Sequence, residues 1–315
     1  MRLYFTSDLH GSEKCWLKFL TTPKFYSADV IIVGGDITGK FIVPFVKMKD
    51  GSYEVTFLGR TQQIKNENEL KTLKMQIADT GHYVFETDQE ENELYKNDPA
   101  KIEELFRKML LERVTRWVEL ADARLAGQNV RCFVSGGNDD MFEVDEILME
   151  SKVFQVPEGC VVDVGQGFEM LSLGYANITP WNCTRDVTEE VLSNKIESLA
   201  TKIEKMDRAI FNIHVPPYDT GIDQAPQLTD DLKVVMESGQ TVMLPVGSTA
   251  VREAIQKYQP MLGLHGHIHE SRGYEKIGRT TIVNPGSEYS EGVLRGALID
   301  LDGKKGVIRV NLVSG

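Results

Sequence analysis

Five short apolar runs in this chain each lead directly into residues able to bind a metal, and that arrangement constrains the fold more than any other feature. Leu3 to Phe5 is followed by Asp8-Leu9-His10, and Val30 to Gly35 by Asp36. Val130 to Val134 precedes Gly137-Asn138-Asp139-Asp140, Ala209 to Phe211 precedes His214, and Met261 to Leu264 precedes His265-Gly266-His267-Ile268-His269. Runs this short read as buried strands. Open α/β sheets place ligand sites just beyond the carboxyl ends of their strands, which is where all of these residues fall.

The residue types point to a particular chemistry. Imidazole nitrogens mixed with carboxylate and amide oxygens, without a thiolate, suit two borderline divalent cations such as Mn, Fe, Zn or Co, rather than Ca or a structural zinc. Asp8 and His10 stand two apart and can turn toward one point as the strand ends. Glycines before Asp36 let backbone approach an ion, and a carboxylate with two oxygens can bridge two cations. Asn138 offers a neutral oxygen and His214 an imidazole. His267 and His269, separated by one residue, can each serve a different metal. His82, in a polar stretch, stands apart from this pattern.

The remaining elements alternate. A helix is expected from Ser12 to Leu20, a short one near Val144 to Glu150, one from Thr188 to about Met206 and one near Ser248 to Tyr258. Further strands are expected at Val161 to Val164, Phe168 to Leu173, Gly273 to Lys276, Thr280 to Val283, Leu294 to Asp300 and Val307 to Val313. Alternating β and α followed by a β meander predicts an α/β fold with mixed sheets flanked by helices. At 315 residues and 41% hydrophobic content the chain can bury a full core.

Residues of about 40 to 129 interrupt the alternation. Phe41 to Phe45 and Tyr53 to Leu58 flank Asp50-Gly51, a favoured hairpin turn. Asp98-Pro99 opens and Gly127 closes a long helix of about 40 Å with an apolar stripe. This insertion is expected either to pack on the sheet or to act as a cap that narrows the metal cleft or forms a homo-oligomer contact. The acidic run Asp88 to Glu93 reads as a solvated face.

Taken together, Asp8-Leu9-His10-Gly11, Gly34-Gly35-Asp36, Gly137-Asn138-Asp139-Asp140, Asn212-Ile213-His214 and Gly266-His267-Ile268-His269 resemble the five signature blocks of the calcineurin-like metallophosphoesterase superfamily. Val283-Asn284-Pro285-Gly286-Ser287 is similar to a feature of its small prokaryotic Icc-like predicted phosphoesterases. The resemblance implies a four-layer sandwich, two packed mixed sheets between helical layers, formed by residues 1–315 as one domain. It further implies one metal held by Asp8, His10, Asp36 and His269, and a second by Asp36, Asn138, His214 and His267.

One position departs from that pattern. Where the superfamily usually has a His acting on the leaving group, this chain has Asp139. A general acid contributes about a hundredfold to ten-thousandfold, roughly 3 to 5 kcal/mol. Asp139 and His265 are the candidates to supply that role, with packing beneath the site as the other role open to His265. Thr38, Thr179, Trp181 and Tyr218 are further candidate pocket residues.

The expected activity is metal-dependent hydrolysis of a small phosphodiester or phosphoanhydride by a metal-bridging hydroxide, with manganese among the candidate metals. A superfamily nuclease and a metal-binding pseudoenzyme scaffold are the alternatives. A formal charge of -12 argues against nucleic acid as a partner. Cys15, Cys132, Cys160 and Cys183 are scattered and read as reduced thiols. Together with the absence of any long apolar run, they predict a cytoplasmic protein without a membrane partner.

Overall fold

The computed structural model describes residues 1–229 and 231–315. The first strand, Arg2–Thr6, is apolar on both faces, which suits a strand buried between two layers. Leu3 and Phe5 face one core and Tyr4 the other. It pairs in parallel with Val30–Gly34, Leu3 opposite Val30, and that strand pairs in parallel with Arg131–Ser135. Phe154–Gln155 extends this sheet on one side, and the antiparallel strands Arg295–Asp302 and Gly306–Ser314 extend it on the other.

A second six-stranded sheet runs in the order Gly273–Ile277, Thr280–Asn284, Leu262–Leu264, Ala209–Ile213, Phe168–Leu173 and Val161–Gly165. Its four central strands are parallel and its two outer ones antiparallel. The sheets face each other across a core containing Leu3, Phe5, Ile32, Phe133, Met170, Ile210, Leu264 and Val283. Outside the first sheet, Trp16, Leu110, Val114 and Trp117 cover Ile31 and Val33. Outside the second, Leu192, Ile196, Val251 and Ile255 cover Phe211 and Ile213. This is the expected four-layer α/β/β/α sandwich.

The helix expected to reach Met206 spans Glu189–Ala200. Its apolar stripe ends there, and the backbone amides of Glu204 and Lys205 donate to the Glu169 carboxylate instead of continuing the helix. Among the described residues no helix is long and apolar enough to cross a membrane.

The insertion is richer than a hairpin and a helix. The hairpin is present as Ile42–Lys47 and Tyr53–Phe57, and the helix as Pro99–Leu125. Arg60–Ile64 adds a third strand, and Tyr83–Asp88 pairs in parallel with Ile42–Lys47, making four strands. A helix at Glu67–Asp79 packs Ile77 against Val43, Phe45 and Val55 of that sheet. The acidic run lies in a helix, Gln89–Asn97, with no buried residue. Pro99–Leu125 spends its apolar stripe on the first sheet, so that face is not free for a partner. The middle of the insertion does reach the ligand loop: a Cβ on Gly81 would lie 2.2 Å from the His10 carbonyl oxygen.

Candidate metal centre

The parallel strands of both sheets end at a common edge, and the loops beyond them carry the predicted ligands. Asp8 and His10 follow Arg2–Thr6, Asp36 follows Val30–Gly34, and Asn138 follows Arg131–Ser135. His214 follows Ala209–Ile213, while His267 and His269 follow Leu262–Leu264. Asp8, His10, Asp36 and His267 all adopt positive φ, between 41° and 67°, a region that costs non-glycine residues energy and clusters at functional sites. Glycines make the close approach possible. A Cβ on Gly137 would lie 2.2 Å from Asp36 Oδ1, and one on Gly266 would lie 2.4 Å from Asp8 Oδ2.

Two groups flank Asp36, and a third joins His10, Asp36 and Asp139. Asp8, His10 and His269 gather their ligating atoms within 4.8 Å, and so do Asp36, His214 and His267. Asp36 Oδ2 lies 3.7 Å from His10 Nε2 and 3.4 Å from His214 Nε2, so one carboxylate oxygen faces both groups. His10 Nε2 stands 3.1 Å from His269 Nε2, and His269 Nε2 stands 3.4 Å from Asp8 Oδ1. His267 Nδ1 lies 2.9 Å from Asn138 Oδ1. All seven predicted ligands are therefore brought together, and all but the half-buried His267 and His269 are buried.

Residues outside the set aim these side chains. His214 Nδ1 lies 3.0 Å from the Gly34 carbonyl oxygen, which leaves Nε2 pointing at the cluster, buried and without a hydrogen-bond partner. Asn138 Nδ2 donates to Asp186 Oδ1, turning the amide oxygen inward. Thr179 Oγ1 donates to the other oxygen of Asp186. Asp8 accepts from the backbone N–H of His267, and its own carbonyl accepts from Ser287 Oγ. Asp186 and Ser287 lack the motif spacing that singled out the ligands, although Ser287 closes the Asn284-Pro285-Gly286 turn.

The electrostatics fit divalent cations. Burial holds His10 and His267 down to about 4, keeping both imidazoles neutral with a lone pair to give. At His214 burial is outweighed by Asp36 and Asp8, which push it up to about 10. Burial alone would raise Asp8 and Asp36, yet His269 beside Asp8 and His214 beside Asp36 hold both below the usual carboxylate range. Buried carboxylates that draw a proton onto neighbouring imidazoles mark a place where a cation can take over that charge. The orphaned His214 nitrogen and the mixed N/O donor set fit that group.

The other candidates separate. Asp139 sits at the rim, its backbone N–H donating to Asp36 Oδ1 at 3.0 Å. Its Oδ1 accepts from the Cys183 thiol at 2.7 Å, and its Oδ2 is in contact with the Lys40 ammonium. His265 does not join the cluster. Its ring is fully buried with Nδ1 within 3.1 Å of the Ile213 and Val215 carbonyl oxygens, and burial lowers it to about 4. These contacts brace the ends of the second sheet from beneath. Thr38 is buried and donates to Asp140, whereas Trp181 (62% exposed) and Tyr218 (37%) lie at the surface.

Asp140 is a clamp between loops. Fully buried, it accepts from the backbone N–H groups of Ile37, Thr38 and Gly137 and from Thr38 Oγ1, tying the Asp36 loop to the Asn138 loop. Asp140→Ala is expected to lower the unfolding free energy by about 3 kcal/mol, since several buried donors lose their acceptor at once. Urea denaturation of variant and wild type checks this.

A cleft of about 510 Å³ on the inserted sheet, lined by Lys47, Tyr53, Lys65, Lys71 and Lys74 among others, shares no residue with the cluster. The cluster stands out by its chemistry rather than by the size of its opening.

Comparison with known proteins bears on the fold. No family model matches the chain. A stretch of 146 residues is 30% identical to an uncharacterized protein of Methanocaldococcus jannaschii, covering 45% of this chain and 59% of that protein. The chain thus matches less than two thirds of that relative. One crystal structure superposes with a TM-score of 0.59 at 16% identity, covering 99% of this chain and 98% of the other. The structure of a Thermus thermophilus protein, TT1561, superposes with a TM-score of 0.53 at 13% identity over 100% of this chain and 97% of its own. At these identities the shared property is the fold.

Proposed function

We propose that this chain is a binuclear metal-dependent phosphoesterase of the calcineurin-like superfamily, acting on a small phosphodiester or phosphoanhydride. The observation that carries this reading is Asp36 Oδ2, which faces His10 Nε2 on one side and His214 Nε2 on the other. Asp8, His10 and His269 would complete one metal site, and Asn138, His214 and His267 the other. The chemistry such cations supply is Lewis acidity toward phosphoryl oxygens and a water acidified to near neutrality. Mn, Fe, Zn and Co all suit the donor set.

The chain's own residues do the rest. The orienting bonds from Gly34, Asp186 and Ser287 fix His214, Asn138 and Asp8 before substrate arrives, so little reorganisation accompanies reaction. Asp139 stands in the motif where the superfamily usually has its His, and Lys40 contacts it at the rim. A net charge of -12 argues against a long nucleic acid as the substrate. Its four cysteines are free thiols, in keeping with a reducing, cytoplasmic setting.

The test is a screen of metal-reconstituted protein against aryl and alkyl monoesters, diesters, cyclic nucleotides and dinucleotides. Turnover of a diester or an anhydride in preference to monoesters is expected. Protein that holds its metals yet hydrolyses none of these esters would be a scaffold, and the proposal would fall.

A further inference from the structure

Lys40 is a residue that no motif marks, and its surroundings are those of a working side chain. It stands at the entrance of the insertion, where backbone is packed against the ligand loop. The Gly39 N–H donates to Tyr83 Oη at 2.8 Å, a Cβ on Gly39 would lie 2.1 Å from the Gly81 carbonyl oxygen, and one on Gly81 would lie 2.2 Å from that of His10. The base of the Lys40 side chain is therefore fixed relative to His10.

Its far end is fixed too. The ammonium contacts Asp139 Oδ2, an oxygen that also lies 3.9 Å from His10 Nδ1. Asp139 is held by its own N–H on Asp36 and by the Cys183 thiol. A continuous chain of contacts thus runs from the bridging carboxylate to the ammonium. Burial works against the charge of Lys40, but Asp139 and Asp36 raise its pKa above the ordinary value, so it stays a cation at neutral pH. The Lys40 side chain is 40% exposed while those of Asp36 and His10 are nearly inaccessible, so the ammonium is open to a ligand that approaches the cluster.

Resting on the phosphoesterase reading above, we infer that Lys40 is a catalytic residue, a fixed cation that faces the oxygen leaving phosphorus and stands in for the missing imidazole. In the reaction the ester P–O bond breaks with its electron pair passing to the leaving oxygen. A new P–O bond forms from a water that gives a proton to solvent, and the departed oxygen takes a proton from solvent. Lys40 keeps its own proton throughout and contributes charge, so its effect grows as the leaving oxygen becomes more basic. Asp139 is then a positioning residue for the ammonium.

The experiment compares wild type, Lys40→Gln and Lys40→Arg, each loaded with two equivalents of Mn. Metal content, the Kd of orthovanadate by calorimetry, and turnover of aryl and alkyl diesters are measured together. Lys40→Gln should keep both metals, bind vanadate roughly tenfold or more weakly, and lose most on alkyl substrates. Lys40→Arg, which preserves the charge, should recover most of the vanadate affinity. Vanadate affinity and turnover unchanged in Lys40→Gln would overturn the inference. So would loss of metal from that variant, which would make Lys40 a structural residue. If wild type hydrolyses no ester while Lys40→Gln still weakens vanadate binding, the phosphoesterase reading falls and the oxyanion contact stands.

Discussion

Asp36→Asn is expected to empty both halves of the centre and to lower turnover by at least about a thousandfold, roughly 4 kcal/mol. The reason is geometric. Asp36 Oδ2 is within 3.7 Å of a histidine nitrogen in each of the two groups, closer to His10 and His214 than Asp8 Oδ1 is at 4.0 and 3.8 Å. An amide nitrogen in place of one oxygen removes the charge that two cations would share, and half of the variant's rotamers would offer a donor where an acceptor is needed. His214→Ala, by comparison, should spare the group formed by Asp8, His10 and His269. Elemental analysis of the two purified variants distinguishes them: near zero metal for Asp36→Asn and about one equivalent for His214→Ala. Two equivalents retained by Asp36→Asn would show that Asp36 does not bridge.

Gly137→Ala is expected to damage the site almost as severely without altering any ligand. The added methyl would lie 2.2 Å from Asp36 Oδ1 and 2.3 Å from the Asp36 backbone nitrogen, and backbone cannot move aside as a flexible side chain can. Asp36 must shift, and displacing a ligand in this way typically costs about 10- to 100-fold in metal affinity. Gly303→Ala is the control, because its added Cβ meets nothing closer than 3.4 Å, at the end of the Arg208 side chain. Metal titrations followed by calorimetry should show weakened binding for the first variant and wild-type binding for the second. Equal affinities in the two would mean that the Asp36 loop tolerates displacement and that preorganisation contributes little.

The residues of the cluster were legible because each is written locally, as an acid, amide or imidazole directly after a short apolar run. Such a segment reads as a buried strand leading into a loop, so spacing and chemistry point the same way at Asp8, Asp36 and His214. Glycine content in the same blocks, Gly137 and Gly266 in particular, supplied the close approach that the geometry needs. The four-layer order followed from the same strands together with the resemblance of the blocks to the superfamily.

What stayed hidden depends on distance along the chain. Lys40 meets Asp139 across 99 positions, and nothing in its neighbours distinguishes it from the other lysines. Asp186 turns the Asn138 amide from 48 residues away. Within the insertion, Arg60–Ile64 reads Arg-Thr-Gln-Gln-Ile and carries almost no apolar alternation, because it is an edge strand with one buried residue. Tyr83–Asp88 pairs with Ile42–Lys47 in parallel across a helical crossover, a connection that no local turn signal announces. His265 was ambiguous for a related reason: its place within the histidine cluster of the sequence gives no sign that its ring turns away, toward the Ile213 and Val215 carbonyls.

The central claim is that two cations and the residues around Asp36 together hydrolyse a phosphoester. Its most direct measurement is a stepwise metal titration of the metal-free protein, with bound metal and hydrolysis of an aryl phosphodiester recorded at each addition. The account predicts binding that saturates at two equivalents per chain, with hydrolysis rising mainly as the second site fills. Saturation at one equivalent, or two bound equivalents with no hydrolysis of any phosphoester, would contradict it.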